Sequence, residues 1–382
     1  MRKELTSILG GLFLLGLTAC GHKEPEVPPV MVTQGVVEKV PEVLPPEPRA
    51  LVHKVGLLLP LSGEHADLGK ALQEAAELAL FEAGDASVEL MPQDTAQGAR
   101  AAAERALHEG AELLIGPVFA AEVREIKPLL AQHHVNLLCF STDQSVAGQG
   151  VYVLGFLPDQ QIERVTRFAG ERGLKKIAAL TPEGAYGQVV NQTLKRLSAK
   201  GEIELLGITP YTRGDILEGN PGNDQILEAV EDYKARGLQA LLVPEGGENL
   251  YNIARILKSQ GGPILLGSGQ WDSSETLQVF ELMGSFFASP DPQEREHFED
   301  RFRKAYGGVP PRIASLAYDA TALAVALAPH GYAAPHLTFA QGFSGADGLF
   351  RLTSPGLNER GLAVVEVSPM GFQTLSPAPL SF

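Results

Sequence analysis

The chain has 382 residues, beyond the size at which one hydrophobic core keeps growing, and its 44% apolar and 20% charged residues are those of a globular protein. A formal charge of −15 repels nucleic acid and anionic lipid headgroups, and no basic stripe with interleaved aromatics interrupts that field. The composition therefore argues against nucleic-acid binding and for a soluble fold of two lobes.

Met1-Arg2-Lys3 precedes an apolar run of twelve residues, Ile8 to Ala19, too short to span a bilayer and of signal-peptide length. Residues 1–19 are expected to be a signal peptide. Leu17-Thr18-Ala19-Cys20 resembles a bacterial lipobox, which implies lipidation of Cys20; the alternative is conventional cleavage beside an incidental cysteine. Acyl chains contribute about 0.8 kcal/mol per buried CH₂, so several of them anchor a protein stably. The same resemblance, with Gly21 and not Asp after the cysteine, implies a lipid-anchored protein of the outer membrane facing the periplasm. From Lys23 to Ala50 seven of twenty-eight residues are proline. Such a segment buries no core and extends to at most roughly 85 Å, at about 3.1 Å per residue. Residues 20–50 thus read as a lipidated cysteine and a stalk. The second cysteine, Cys139, has no partner once Cys20 is acylated. It stands in the apolar run Asn136 to Phe140 and reads as a small buried hydrophobe, with a nucleophile as the lesser alternative.

From Lys54 onward short apolar runs alternate with amphipathic helical stretches. Val55–Leu61 precedes a helix over Ala66–Phe81; Ser87–Pro92 precedes Gly98–His108; Ala111–Ile115 precedes Ala120–Gln132; then comes Asn136–Phe140. After the glycine-rich passage Gly148–Phe156 the alternation resumes: Lys176–Leu180 and Tyr186–Ala199, Glu204–Ile208 and Asn223–Ala235, Ala240–Val243 and Asn249–Ser259, then Pro263–Leu266. Met283–Pro290 reads as a second crossing strand, Arg295–Tyr306 and Ser315–Leu327 as helices, and Gly345–Leu352 with Gly361–Val367 as a strand pair closing lobe two. The fold class is α/β, with two Rossmann-like lobes of parallel sheet and a hinge between them. Lobe one is expected to hold residues 51–155 plus 287–335, and lobe two residues 156–286 plus 336–382. Sheets of this kind bind ligands beyond the carboxyl ends of their strands. The loops at Ser62, Asp94-Thr95, Pro117–Ala121, Ser141–Asp143, Pro182–Tyr186, Tyr211-Thr212, Pro244–Gly247 and Gly269–Trp271 stand there.

Lys54–Gly63, Leu114–Pro117, Tyr186-Gly187 and Gly345–Arg351 resemble type I periplasmic-binding proteins of the leucine-binding family, over about residues 52 to 370. Pro92–Thr95, Leu114–Phe119, Phe140–Ser145 and Gly155–Pro158 are more similar to lipoproteins that activate penicillin-binding proteins. The resemblance implies the type I periplasmic-binding-protein fold and a receptor without catalytic residues, closing on a small polar ligand such as an amino acid. Ser141, Thr142 and N–H groups near Asp143 would take the carboxylate, Glu245 the ammonium, with Tyr186 as a wall. Ser62, Ala120, Ala121 and Gln270 complete the expected cleft. Phe119-Ala120-Ala121 stands where amino-acid receptors usually offer a serine, a departure that weakens the amino-acid reading. Ser141 and Thr142 read equally as caps of the following turn. Trp271 reads either as a stacking platform or as a plug between lobes, and Asp94 as a turn-fixing residue or a contact for a ligand cation.

No phosphate-binding loop, H-E-x-x-H, C-x-x-C, G-x-S-x-G or S-x-x-K occurs, so no enzyme activity, cofactor or metal is expected. Two functions from different classes fit. The first is an anchored activator that touches a peptidoglycan synthase, a penicillin-binding protein, across the periplasm. The second is a solute receptor for an amino acid or similar small polar ligand of an ABC importer. The stalk and Gly21 rank the activator first.

Overall fold

The computed structural model describes residues 51–382, save 85, 214–215, 217–220 and 259–260. The expected signal peptide, the lipidation site Cys20 and the proline-rich stalk lie outside the described residues. Lobe one begins with β1 (His53–Leu59), α1 (Ala66–Ala83), β2 (Val88–Asp94), α2 (Ala99–His108), β3 (Leu113–Ile115), α3 (Ala120–His133), β4 (Asn136–Cys139) and β5 (Val151–Val153). The five strands form a parallel sheet in the order β2-β1-β3-β4-β5.

Both faces of that sheet are covered, which is why its strands are continuous apolar runs and not alternating ones. On one face Leu58, Leu114, Leu137 and Cys139 pack against α2 and α3. On the other, Val55, Leu57, Leu59 and Ile115 meet α1 and two later helices, α8 (Pro292–Tyr306) and α9 (Ala314–Leu327). The α9 sequence, ASLAYDATALAVAL, is apolar nearly all round and is buried nearly all round. Each fully buried Leu or Ile contributes roughly 1.5–3 kcal/mol relative to exposure.

Lobe two comprises α4 (Pro158–Glu171), β6 (Lys176–Pro182), α5 (Ala185–Ala199), β7 (Glu204–Tyr211), α6 (Pro221–Ala235), β8 (Ala240–Leu242), α7 (Gly247–Lys258), β9 (Ile264–Gly267) and β10 (Phe286–Ser289). After α8 and α9 come α10 (Ala334–Leu337), β11 (Phe343–Gly345), β12 (Gly348–Leu352), β13 (Asn358–Arg360), β14 (Ala363–Ser368) and β15 (Gly371–Ser376). The seven-stranded sheet runs β15-β14-β10-β9-β8-β6-β7, parallel from β7 to β10 and antiparallel at β14 and β15. Helices α4 and α5 cover one face, α6 and α7 the other.

The chain passes between lobes three times, near residues 154–157, at 289–291 and at 361–362. These crossings correct two expectations. Strand β10 pairs along its length in lobe two, so that lobe extends to Ser289 and does not stop at residue 286. The expected strand pair near the end does not form. Strand β12 pairs instead with β11 and β13, and Ala346, Phe350 and Leu352 join the core of lobe one, while β14, with β15, enters the sheet of lobe two. Buried charge accompanies this apolar packing. Asp347 and Arg360 are buried and find their counter-charges, Arg312 and Asp319, on the α9 segment of lobe one.

Candidate functional site: the cleft between the lobes

The ring of Phe156, on the first crossing, meets two arginines: the Arg312 guanidinium is 4.2 Å from its centroid and that of Arg360 is 5.0 Å. Asn358 donates to the carbonyls of Val153 and Gly155, each at 2.8 Å, which ties the third crossing to the first. Asp272 of lobe two pairs with Arg295 of α8, accepts from the Ser289 hydroxyl at 2.9 Å and lies 3.5 Å from Arg312 Nε. The hinge side of the cleft is thus walled by paired, largely buried charge.

Two cavities open between the lobes. The inner one, about 420 Å³, is lined by Phe156, Pro158, Pro290 and Ile313, with Gln161, Gln270 and Arg312 as polar groups among others. The outer one, about 520 Å³, lies between Thr142–Ser145 of lobe one and α5 of lobe two, and is lined also by Asp159 and Arg196. Thr142, Pro158 and Tyr186 line both. Both volumes lie within the range of small-molecule sites. A wider groove of about 730 Å³ runs along α4 and residues 353–362. Its cations are already engaged, Arg164 by the Leu362 carbonyl and Ser376, Arg167 by Glu163 and Glu202, and Arg360 by Asp319.

The expected cleft residues divide on these contacts. Thr142, Tyr186 and Gln270 line the inner cavity, and Thr142, Asp143 and Tyr186 the outer. Tyr186 is half-buried, its hydroxyl is 3.1 Å from Ser268 Oγ, and burial holds its phenol pKa above the ordinary value. Asp143 caps the turn at Gln144–Val146 and pairs with Arg124; hydrogen bonding from Ser145, then from Arg124, holds its carboxyl below the usual range. Ser141 is buried and accepts from the Asp143 N–H at 3.0 Å, so its hydroxyl serves the turn.

Ser62 donates to Asp94 at 2.6 Å, and Asp94 also accepts from the N–H groups of Leu61 and Ala96. This carboxylate fixes the turn, and the Ser62 hydrogen bond lowers its pKa. Neither Ser62 nor Ala120 or Ala121 lines the two interlobe cavities.

Glu245, expected to meet an ammonium group, is 3% exposed and its oxygens are occupied by Tyr211 Oη at 2.8 Å, Arg213 Nε at 2.8 Å and the Gly246 N–H at 3.2 Å. Trp271 is neither a stacking platform nor a plug between lobes. It is fully buried in the core of lobe two, donates from Nε1 to the Val243 carbonyl at 3.1 Å, and packs over Gly267, where a Cβ would stand 2.2 Å from the indole. Only glycine leaves room for it there.

Several cleft residues were not expected. Gln161 accepts from the Gly269 N–H at 2.8 Å and is almost buried. Asp159 accepts from Gln144 Nε2 at 2.6 Å, a bond between the lobes. Phe156 and Pro158 belong to the Gly155–Pro158 motif, which was quoted for the resemblance and not as part of the cleft. Arg312 and Ile313 precede α9, away from any strand end, so a search along strand ends passes over them. Among the described residues there is no cluster of three or more His, Cys, Asp or Glu suited to a metal, and no helix long and apolar enough to cross a membrane.

Residues 53–341 match the family model described as periplasmic binding protein. The chain belongs to that family. A Leu/Ile/Val-binding protein homolog of Brucella melitensis is 26% identical over 280 residues, 67% of this chain and 70% of the relative. An uncharacterized protein of Rickettsia prowazekii is 22% identical over 200 residues, and here the match spans 52% of this chain and about half, 49%, of the relative. Among solved structures, a putative branched-chain amino acid ABC transporter protein from Rhodospirillum rubrum superposes with a TM-score of 0.75 at 18% identity, covering 85% of this chain and 100% of that one. A solute binding protein of an ABC transporter from Rhodopseudomonas palustris, in complex with 3,4-dihydroxybenzoic acid, gives 0.62 at 17% identity, covering 87% and 97%. These likenesses show a type I periplasmic-binding-protein fold of α/β class with two lobes.

Proposed function

We propose that this periplasmic binding protein is a receptor without catalytic chemistry that captures a small organic solute between its lobes, for delivery to an ABC importer. The observation that carries the reading is the pair of cavities lined from both lobes and joined at Thr142, Pro158 and Tyr186. A ligand seated there touches both lobes at once and therefore favours the closed arrangement by the difference in its contacts with the two states. The Brucella relative's name and the bound dihydroxybenzoic acid support a solute of that size. In this reading the chain acts in the periplasm, held by lipid on Cys20 and reaching its partner on the proline-rich stalk.

Activation of a peptidoglycan synthase, ranked first from the sequence, takes second place. Gly21 and the stalk still favour it, but docking on a protein needs no ligand-sized cleft. Thermal shift of the full chain with leucine, benzoate and small dipeptides tests the receptor reading, since a ligand of the folded state raises the midpoint by mass action. No shift with any of these, together with capture of a penicillin-binding protein, restores the activator.

A further inference from the structure

A receptor for a free α-amino acid needs donors for the carboxylate and an acid for the ammonium within one small volume, because the two groups hang from a single carbon. With N–Cα near 1.46 Å and Cα–C near 1.52 Å, they lie less than about 3 Å apart. The expected ammonium partner, Glu245, is shut off by Tyr211 and Arg213. Asp272, the carboxylate in the lining of the inner cavity, is committed to Arg295 and Ser289. The inner cavity therefore holds no free acid, and the cation in its lining, Arg312, is paired with Asp347 and lies 3.5 Å from Asp272.

Arg312 spends Nη1 on Asp347 and Ser315 and directs Nε toward Asp272, and its Nη2 is buried without a hydrogen-bond partner. A buried guanidinium nitrogen left unpaired is costly, a cost that a carboxylate brought within reach would remove. The outer cavity has the opposite character. Asp159, in the first turn of α4, accepts from Gln144, and among the described residues no cation lies within ion-pair distance of it. Its neighbour Arg196 is held by Glu163, and Asp143 by Arg124. Burial holds the Asp159 carboxyl above its ordinary pKa, against the opposing hydrogen bonds of Gln160 and Gln144 and the charge of Arg196. Arg312 lines only the inner cavity and Asp159 lines the outer but not the inner.

Resting on the receptor reading, we propose that the ligand is an extended zwitterion, a short peptide whose carboxylate meets Arg312 in the inner cavity and whose ammonium meets Asp159 in the outer one. Two residues of extended chain span about 7 Å, at 3.3–3.6 Å each. The wall shared by the two cavities, Thr142, Pro158 and Tyr186, faces the peptide group. Phe156, Pro290 and Ile313 take an apolar side chain, and Gln270 offers an amide to the backbone.

Calorimetric titration of the full chain with Ala-Phe, Ala-Leu, N-acetyl-Ala-Phe, Ala-Phe amide, free phenylalanine and benzoate tests this. The expected result is that one of the two dipeptides binds at least tenfold more tightly than phenylalanine or benzoate. Acetylating its amine or amidating its carboxylate costs at least tenfold each. In Asp159→Asn the free and acetylated peptides become equivalent, and in Arg312→Met the acid and the amide do. The modified ligands make the comparison on the unaltered chain, so misfolding of a variant does not shield the proposal. Phenylalanine or benzoate binding as tightly as both dipeptides overturns the inference and leaves the receptor standing. Silence from every probe counts against both.

Discussion

Arg295 of lobe one reaches across the hinge to Asp272 of lobe two, where its guanidinium pairs with the carboxylate and Nη1 also donates to the Asp272 carbonyl at 2.9 Å. The Asp272 side chain is 1% exposed and that of Arg295 20%, so the pair is screened little by solvent. Arg295 keeps a second partner in Glu299 at 2.6 Å.

Replacing Asp272 by Asn leaves Arg295 and Arg312 short of one counter-charge in a dry setting. Breaking a buried pair from one side costs about 3–5 kcal/mol, and Glu299 places this case at the lower end. The expected outcome in urea denaturation is a loss of about 3 kcal/mol with an unchanged slope. A loss within error of zero shows that the pair does not secure the hinge.

Asp319 is fully buried on α9, where burial first, opposed by Arg360 and reinforced by Asp347, raises its pKa to about 6. The carboxyls of Glu122 and Asp159 are raised as well, so the measurement must be a difference between variants. Between the ordinary value of 3.8 and about 6 the folded chain holds a proton on Asp319 that the unfolded chain has released. Stability from this group is therefore fully present below 3.8 and lost as pH rises through 6, at no more than about 1.4 kcal/mol per pH unit. For Asp347 burial is the largest single cause and acts upward, but Arg312 and Arg360 together outweigh it, so the net shift is down and the group acts only below 3.8. Urea midpoints from pH 4 to 7 should show the wild type losing stability relative to Asp319→Asn as pH rises; parallel profiles contradict the assignment.

Gly345, at the end of β11, lies so near α9 that a Cβ would stand 2.3 Å from Asp319 Oδ1. Gly345→Ala must displace a buried ion pair as well as overpack the site, and a cost of about 1–3 kcal/mol is expected. Guanidinium denaturation measures it, and a neutral substitution means that the β11–β12 turn does not press on α9.

Trp271 is the chain's one tryptophan and is fully buried in lobe two. Its emission should be blue-shifted, little quenched by iodide, and unchanged in quenching when a solute binds. Ligand protection of an initially accessible indole would return Trp271 to the cleft.

Much of the fold was legible in the sequence because parallel strands buried on both faces have to be short apolar runs. Leu57–Leu59 and Leu241–Val243 announce themselves in this way. Helix α4 escaped because the glycine-rich passage before it reads as a break, although Ile162, Val165, Phe168 and Ala169 mark its buried face. The three-stranded sheet was misplaced because it packs on lobe one through Phe350 and Leu352 and pairs Asp347 and Arg360 with Arg312 and Asp319, partners that periodicity does not reveal.

The site was legible in outline only. The strand-end loops carrying Thr142, Asp143, Tyr186 and Gln270 do line the interlobe cavities, since topology alone brings such loops there. Polar identity was a poorer guide. Ser62, Ser141 and Glu245 are spent within their own lobes, and Arg312 and Asp159 face the cleft from helix starts that carry no motif.

The affinity of Tyr186→Ala for leucine, benzoate and Ala-Phe, measured by calorimetry beside the unaltered chain, tests capture between the lobes most directly, because Tyr186 walls both cavities. At least a tenfold loss is expected for whichever of these solutes binds, about 1.4 kcal/mol, with little change in the denaturation midpoint. Equal affinity in the variant would place the solute elsewhere and contradict capture between the lobes.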